Sequence, residues 1–381
     1  MSNKIRFILD VVRSYIYYSF AYILTMFKSR RNLWIISERG VDARDNGYFF
    51  FKFLKNTYPD KPIKYVISKD SPDFYKFINQ SDDVVEYRSF SHYLHLAEAS
   101  HLISTHIHGY SPDIFVFSSL EKYFKIFRNK KRVFLQHGII KDDIPSLYAN
   151  CVNLDLFISG ATGEFNYLVN HFRYPPGIIQ YTGLCRYDNL LNFNAKKQVL
   201  LMPTWRASID KSRFEDSNYF KVYSNLLQSK ELHDILQKNG YTLVFYPHFE
   251  VQSNILSFKK LALPDYVQVS GFERDVQDLL KESALLITDY SSVYFDMAYM
   301  HKPIILYQFD KQDYHYNQGY FDVENIGILT VNEEEVLRSL EFYFSKGCIM
   351  LDNHSKYVDD FFYFHDDKNC ERVYNAIINL N

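Results

Sequence analysis

Two histidines and a serine pair are the side chains here best suited to chemistry on a phosphate ester. His137 follows the apolar run Arg132–Leu135 and precedes Gly138. Imidazole is the side chain most readily used as a general base near neutral pH, and a glycine beside it lets a ligand approach the backbone closely. His248 arrives in the same way, after Thr242–Tyr246 and Pro247, placed to donate a hydrogen bond to a phosphate or leaving group. Ser291 and Ser292 follow the run Ala284–Thr288 and the pair Asp289-Tyr290. At a helix start, hydroxyls, unpaired backbone N–H groups and the positive end of the dipole together suit a phosphate. Arg206 closes Pro203-Thr204-Trp205-Arg206 after the run Val199–Met202, a position for a forked grip on phosphate oxygens. Each residue has a plainer reading when taken alone: a structural histidine, an N-cap serine, a surface arginine. Glu38-Arg39-Gly40 and Asp45-Asn46-Gly47 read equally as a cleft lining or as a solvated turn with a helix cap.

The elements that must position these groups form two series. In the first half, short apolar runs at Leu33–Ser37, Ile63–Ser68, Val84–Glu86, His101–Ser104, Arg132–Leu135, Asp155–Ser159 and Ile178–Thr182 alternate with helical stretches. The pattern restarts with Val199–Met202, Thr242–Tyr246, Tyr266–Val269, Ala284–Thr288 and Ile304–Tyr307. Such alternation predicts two doubly wound parallel sheets with right-handed crossovers, which hold ligands at the carboxyl ends of their strands. The fold class is α/β: two Rossmann-like domains with a cleft between them, the architecture called GT-B. The polar stretch Asn192–Lys197 reads as the linker, giving domains at 32–192 and 193–381, the latter with terminal helices. A single long helix is predicted over Tyr219–Asn239, stopped by Gly240. His106 and His108 would share a face if their strand ran on, but no carboxylate or thiol spacing completes a metal site there.

Composition narrows the function. At 381 residues, 47% hydrophobic and 23% charged, the chain is a folded globular protein with room for two cores. A net charge of −2 argues against a bulk nucleic-acid binder. Four cysteines, Cys151, Cys185, Cys348 and Cys370, lack metal-ligand spacing and read as reduced residues of a cytosolic protein. Neither a dinucleotide glycine motif nor a phosphate-binding P-loop is present, which disfavours a dehydrogenase or an ATPase. Residues 1–31 stand apart. The apolar, aromatic run Ser14–Phe27 is flanked by Lys4, Arg6 and Arg13 and by Lys28, Arg30 and Arg31. The run is shorter than the about 20 residues that span a bilayer, so it reads as a basic amphipathic helix in the membrane interface; a core-packed first helix is the alternative.

Together, His137-Gly138, Gly183-Leu184-Cys185-Arg186-Tyr187-Asp188, Pro203-Thr204-Trp205-Arg206, Pro247-His248 and Asp289-Tyr290-Ser291-Ser292 resemble the CDP-glycerol glycerophosphotransferase family, which includes the teichoic acid primases and polymerases. The resemblance extends over most of the chain. It implies His137 as base on the acceptor hydroxyl and a phosphate or leaving-group role for His248. It implies a donor phosphate site from Thr204, Arg206, Asp289, Ser291 and Ser292, and an acceptor side including Glu38, Arg39, Asp45, Asn46 and Gly138. The donor would be CDP-glycerol or a related CDP-polyol, the acceptor a lipid-linked or polymeric glycan, and the location the cytoplasmic face of the membrane. The set calls for no metal and no cofactor. Three departures stand out: Ile139-Ile140 replaces a frequent Thr-Pro, Cys185 replaces proline, and Gln318 replaces the arginine of an Arg-Gly-x-x-x-Asp pattern. A nucleotide-sugar glycosyltransferase of the same fold and a non-catalytic membrane-surface scaffold are the competing expectations.

Overall fold

The computed structural model describes residues 3–26, 32–123, 129–311 and 317–380. The basic residues Lys28, Arg30 and Arg31, and part of the loop after Asp310, lie outside these.

The first lobe is built on β1 (Trp34–Ser37), β2 (Ile63–Ile67), β3 (Val84–Glu86), β4 (His101–Ser104) and β5 (Lys131–Phe134). A two-residue strand outside the sheet, β6 (Asp142–Asp143), comes next, then β7 (Leu156–Ser159) and β8 (Ile179–Tyr181). The sheet order is β3-β2-β1-β4-β5-β7-β8, all parallel. β1 and β7 are buried along their whole length, which is why they read as continuous apolar runs rather than alternating ones. The second lobe uses β9 (Lys196–Leu201), β10 (Thr242–Phe245), β11 (Val267–Val269), β12 (Ser283–Thr288) and β13 (Ile304–Tyr307). After these come β14 (Asn317–Gln318), outside the sheet, and β15 (Ile328–Thr330). Its order is β11-β10-β9-β12-β13-β15, again parallel.

Both sheets reverse their winding in the interior, between β1 and β4 in the first and between β9 and β12 in the second. At such a switch point the loops leaving adjacent strands diverge to opposite faces and open a crevice at the carboxyl ends. His137 leaves β5, Thr204 leaves β9, His248 leaves β10 and Ser291 leaves β12.

Several contacts tie the lobes together. β6 and β14 form a two-stranded antiparallel ribbon, with Gln318 opposite Asp142. Lys76 reaches Asp275 at 2.9 Å, and Arg44 donates to the carbonyls of Phe272 and Arg274. One apolar cluster runs from Phe50 and Tyr65 through Phe295 and Tyr299 to Phe361 and Val373.

That cluster corrects the domain division. Helix Asn369–Ile378, assigned above to the second lobe, packs on the first, and helix Asp352–Phe361 lies between the two, against helix Thr162–His171 of the first and helix Val293–Tyr299 of the second. Asn369 and Cys370 donate backbone N–H groups to Asp188, Arg372 donates to the Thr182 carbonyl, and Tyr374 stacks on Tyr58. The helix expected over Tyr219–Asn239 is two, Asn218–Gln228 and Lys230–Asn239. Ser229 in extended conformation ends the first and caps the second through its hydroxyl, a local bond that competes with helix continuation.

The N-terminal helix Asn3–Thr25 buries Ser14, Tyr18, Ala21 and Thr25, spaced three or four apart, against helices Phe90–Glu98 and Ile114–Tyr123. Tyr18 meets Tyr93 edge-on at 4.7 Å. Its opposite face leaves Phe7, Ile8, Ile16 and Phe20 about half exposed. By length and composition alone, Phe7–Thr25 could cross a membrane.

Candidate active site

A cleft of about 280 Å³ opens between the switch points, and both lobes line it. His137, Gly138 and Lys141 come from the first lobe; Thr204, Trp205, His248, Tyr290, Ser291 and Ser292 come from the second. The volume lies near the lower end of the range for small-molecule sites, about 300–1,000 Å³.

His137 is held by its backbone. Gln136 adopts φ 59°, an uncommon conformation for a residue with a side chain, and it turns His137 out of the strand line. The side-chain amide of Gln136 is anchored to the Ile158 carbonyl. Asn46 donates to the carbonyls of Leu135 and Gln136 at 3.2 and 2.8 Å, fixing the same turn from the other side. The His137 ring is accessible to the cleft although protein surrounds it. In the neutral ring one nitrogen carries the proton and the other offers a lone pair. Desolvation by the cleft walls lowers its pKa, against Asp45 and a bond to the Thr105 backbone, so it is neutral and able to accept a proton at pH 7. The His106 ring lies flat against it, centroids 4.6 Å apart and planes 13° apart. As read from the sequence, β4 stops at Ser104, so His106 and His108 are not on a strand; His108, with φ 59°, packs on Tyr110 and Phe117.

His248 accepts the Glu250 backbone N–H on Nδ1 at 3.3 Å, which leaves Nε2 as the protonated nitrogen in the neutral ring. Burial lowers its pKa to about 4, so it is a neutral donor. Its ring runs nearly parallel to Trp205, with centroids 6.5 Å apart.

Ser292 starts the helix Val293–Tyr299 but makes no side-chain capping bond, so the N-cap explanation fails for its hydroxyl. Both serines line the cleft. Gly138 comes so close to them that a Cβ at this position would lie 2.7 Å from Ser292 Oγ.

Several expected ligands stand behind the wall instead of in it. Arg206 is buried, and its fork grips Asp310 through Nε and Nη2, at 2.7 and 2.9 Å, while Nη1 donates to Asp289 at 2.9 Å. Its guanidinium is committed to two carboxylates. Asp289 also accepts the backbone N–H groups of Thr204 and Tyr290, at 2.9 and 2.6 Å. This joins the ends of β9 and β12 and holds Thr204 and Tyr290 side by side in the second lobe's wall of the cleft. A carboxylate so engaged is an organiser, not a phosphate ligand.

The acceptor-side residues divide in the same way. Glu38 is buried and accepts three backbone N–H groups, from Arg44, Asp45 and Tyr48. Desolvation nevertheless pushes its pKa up to about 8. Asp45 caps the helix Asn46–Thr57. Arg39 crosses the interface to lie over Phe249, 4.6 Å from its centroid. Of these, only Gly138 lines the cleft.

Arg186 and Asp296 had no role assigned from sequence. Arg186 Nη1 donates to Asp45 at 2.8 Å and to the His137 carbonyl at 3.1 Å; Nε and Nη2 form a fork on Asp296 at 2.7 and 2.8 Å. Its backbone N–H donates to Asn46 Oδ1. Asp296 lies one turn into the helix that Ser292 starts, so this arginine links the turn of the base to the helix of the serines. Among the described residues one group could ligate a metal, His301, Asp359 and His365, with ligand atoms within 4.8 Å of one another. None of the three lines the cleft.

Two parallel-sheet lobes meeting at opposed switch points define the GT-B architecture. Solved structures agree. A wall teichoic acid polymerase, TagF (H548A), matches with TM-score 0.66 at 16% identity over all of both chains. A putative UDP-N-acetylglucosamine 2-epimerase from Listeria monocytogenes matches with TM-score 0.58 at 13% identity over 91% of this chain and 96% of that one. A model of the CDP-Glycerol:Poly(glycerophosphate) glycerophosphotransferase family matches residues 16–379, and the chain belongs to that family. Relatives include the minor teichoic acid biosynthesis protein GgaB of Bacillus subtilis, 35% identical over 94% of this chain and 41% of that protein. Another is the teichoic acid glycerol-phosphate primase of the same organism, 28% identical over 46% of this chain and 43% of that protein. The chain thus spans less than half the length of these relatives.

Proposed function

We propose that this chain transfers glycerol phosphate, or a similar polyol phosphate, from a CDP-activated donor to a hydroxyl of a lipid-linked or polymeric glycan, in the synthesis of teichoic acid or another cell-surface polymer. The supporting observation is the convergence of His137, His248, Ser291 and Ser292 on one cleft between lobes. Family membership supports the donor class.

In this reading the free ring nitrogen of His137 takes the acceptor's hydroxyl proton. The oxygen attacks the donor's β-phosphorus in line and a new P–O bond forms. The bond from that phosphorus to the bridging oxygen breaks, and the oxygen leaves with the α-phosphate as CMP. His248 Nε2–H, the serine hydroxyls and the Thr204 segment meet the charge that develops. Phosphoryl transfer depends chiefly on positioning and electrostatics, so neutral donors fixed in a desolvated cleft suffice. Asp289 and Arg206 act indirectly, by holding the strand ends in register.

We read the N-terminal helix as lying in the membrane interface on the cytoplasmic face. Its exposed apolar side supports this, and its other side is occupied by Tyr93 and Asp113, which disfavours immersion in lipid all round.

Incubation with CDP-glycerol or a panel of UDP-sugars, each with a lipid-linked glycan acceptor, tests the reading. CMP release coupled to a mass increase of one glycerol phosphate supports it. UDP release without CMP release replaces it with a glycosyltransferase.

A further inference from the structure

A cation in the cleft would add to the hold of the neutral donors on a diphosphate, and two arginines bonded to backbone of the cleft residues are committed elsewhere. Arg206 forks onto Asp310 and pairs with Asp289; Arg186 forks onto Asp296 and pairs with Asp45. Among the described residues that line the cleft, Lys141 is the one lysine or arginine. Resting on the donor class proposed above, we infer that Lys141 is the cation that holds the donor's diphosphate.

Lys141 lies three residues beyond Gly138, on the same wall as His137. Its side chain is only 9% exposed, and Nζ contacts Asp142 at 2.6 Å. The next two residues form β6, which pairs with β14 of the second half of the chain, so Lys141 leads directly into the ribbon that joins the lobes. Gly319 passes against the Lys141 carbonyl at a point where no Cβ would fit, which keeps the ribbon tight. Burial lowers the ammonium's pKa, while Asp142 and, through space, Asp289 act to keep it charged. A buried ammonium balanced by an adjacent carboxylate is stored charge. An incoming diphosphate brings more negative charge than Asp142 and competes for the same Nζ. Lys141 therefore recognises the diphosphate and not the base, and Asp142 restrains it until the donor arrives.

The test is titration calorimetry of the whole chain with CDP-glycerol, CDP and cytidine at two ionic strengths. Lys141→Gln weakens CDP-glycerol and CDP by about tenfold or more, as expected for loss of a charged hydrogen bond, and leaves cytidine within about twofold. Asp142→Asn, which removes a carboxylate that competes with the diphosphate for Nζ, tightens CDP binding. Should Lys141→Gln fail to fold, the Asp142→Asn result decides alone, and unchanged or weaker CDP binding overturns the inference. So does Lys141→Gln binding CDP within about twofold of wild type. If CDP-glycerol does not bind while a UDP-sugar does, the donor assignment is wrong. The Lys141 comparison is then made with that UDP-sugar and UDP against uridine, under the same criteria.

Discussion

Gly138 and Ser292 face each other across the cleft so closely that a Cβ on Gly138 would sit 2.7 Å from Ser292 Oγ. The glycine follows the proposed base in the first lobe, and the serine starts a helix in the second. Gly138→Ala is therefore a steric probe of lobe apposition. It should destabilise the protein by about 1–3 kcal/mol, the usual cost of overpacking. Adding Ser292→Ala should recover most of that loss in a denaturation double-mutant cycle. Additive effects would show that the two residues are not apposed.

The neutral histidines set a pH prediction. The folded-state pKa of His137 is lowered by burial, so its basic form persists below the ordinary imidazole range. Activity as kcat/KM should fall on the acid side only below about pH 6.5, the unperturbed value, and not above it. His137→Ala should reduce kcat by about 10²–10⁴-fold with the melting temperature nearly unchanged. His248→Ala should also reduce kcat, and since its pKa of about 4 keeps it neutral, its loss should leave the acid limb in place.

Arg186 and Asp296 form a buried fork linking the lobes. Asp296→Asn leaves a buried guanidinium partly uncompensated and should cost about 3–5 kcal/mol. Arg186→Lys loses the fork and should lower kcat more than it raises KM, because the His137 turn loses its anchor while the donor groups remain. Equal effects on kcat and KM, or a stability change below about 1 kcal/mol for Asp296→Asn, would contradict this role.

Much of this was legible in the sequence, for an identifiable reason. Buried parallel strands give short apolar runs, and the switch-point rule puts ligands at their carboxyl ends, so His137, His248 and Ser291 could be read directly. What could not be read was which charged residue neutralises which. Arg206 ends a strand as a phosphate-binding arginine would, but its partner Asp310 is 104 positions away. Glu38, Asp45 and Asn46 have site chemistry, yet they bond to backbone N–H and C=O groups and to Arg186, which no local pattern reveals. Arg186 lay in a motif already singled out, but its function depends on Asp296 in the other lobe. The crossing of the last helix back to the first lobe was equally hidden, since its apolar face does not specify which partner it covers.

Glu164 provides a pH test of stability. It accepts the backbone N–H groups of Ile140 and Gly160 and the Ser159 hydroxyl, yet burial raises its pKa to about 7 from an ordinary 4.5. A raised folded-state pKa contributes stability below the unfolded value, and that contribution is lost as pH rises through the folded one. Glu164→Gln lacks this titration. Wild type should therefore exceed the variant in melting temperature by more at pH 5 than at pH 8; a margin that grows towards pH 8 would refute the assignment.

The exposed face of the N-terminal helix predicts membrane binding that surface charge alone does not explain. Phe7→Asp combined with Ile16→Asp should abolish co-sedimentation with anionic vesicles and leave folding intact, because both side chains point away from the protein. Undiminished co-sedimentation would place the contact elsewhere.

The most direct measurement is a crystal structure with CDP-glycerol bound. The diphosphate should lie among Ser291, Ser292 and His248 Nε2, with its β-phosphorus on the side facing His137 and Lys141. A nucleotide bound outside this cleft, for example in the surface hollow beside Arg206 and Arg213, or inside it with the diphosphate turned away from both histidines, would contradict the account.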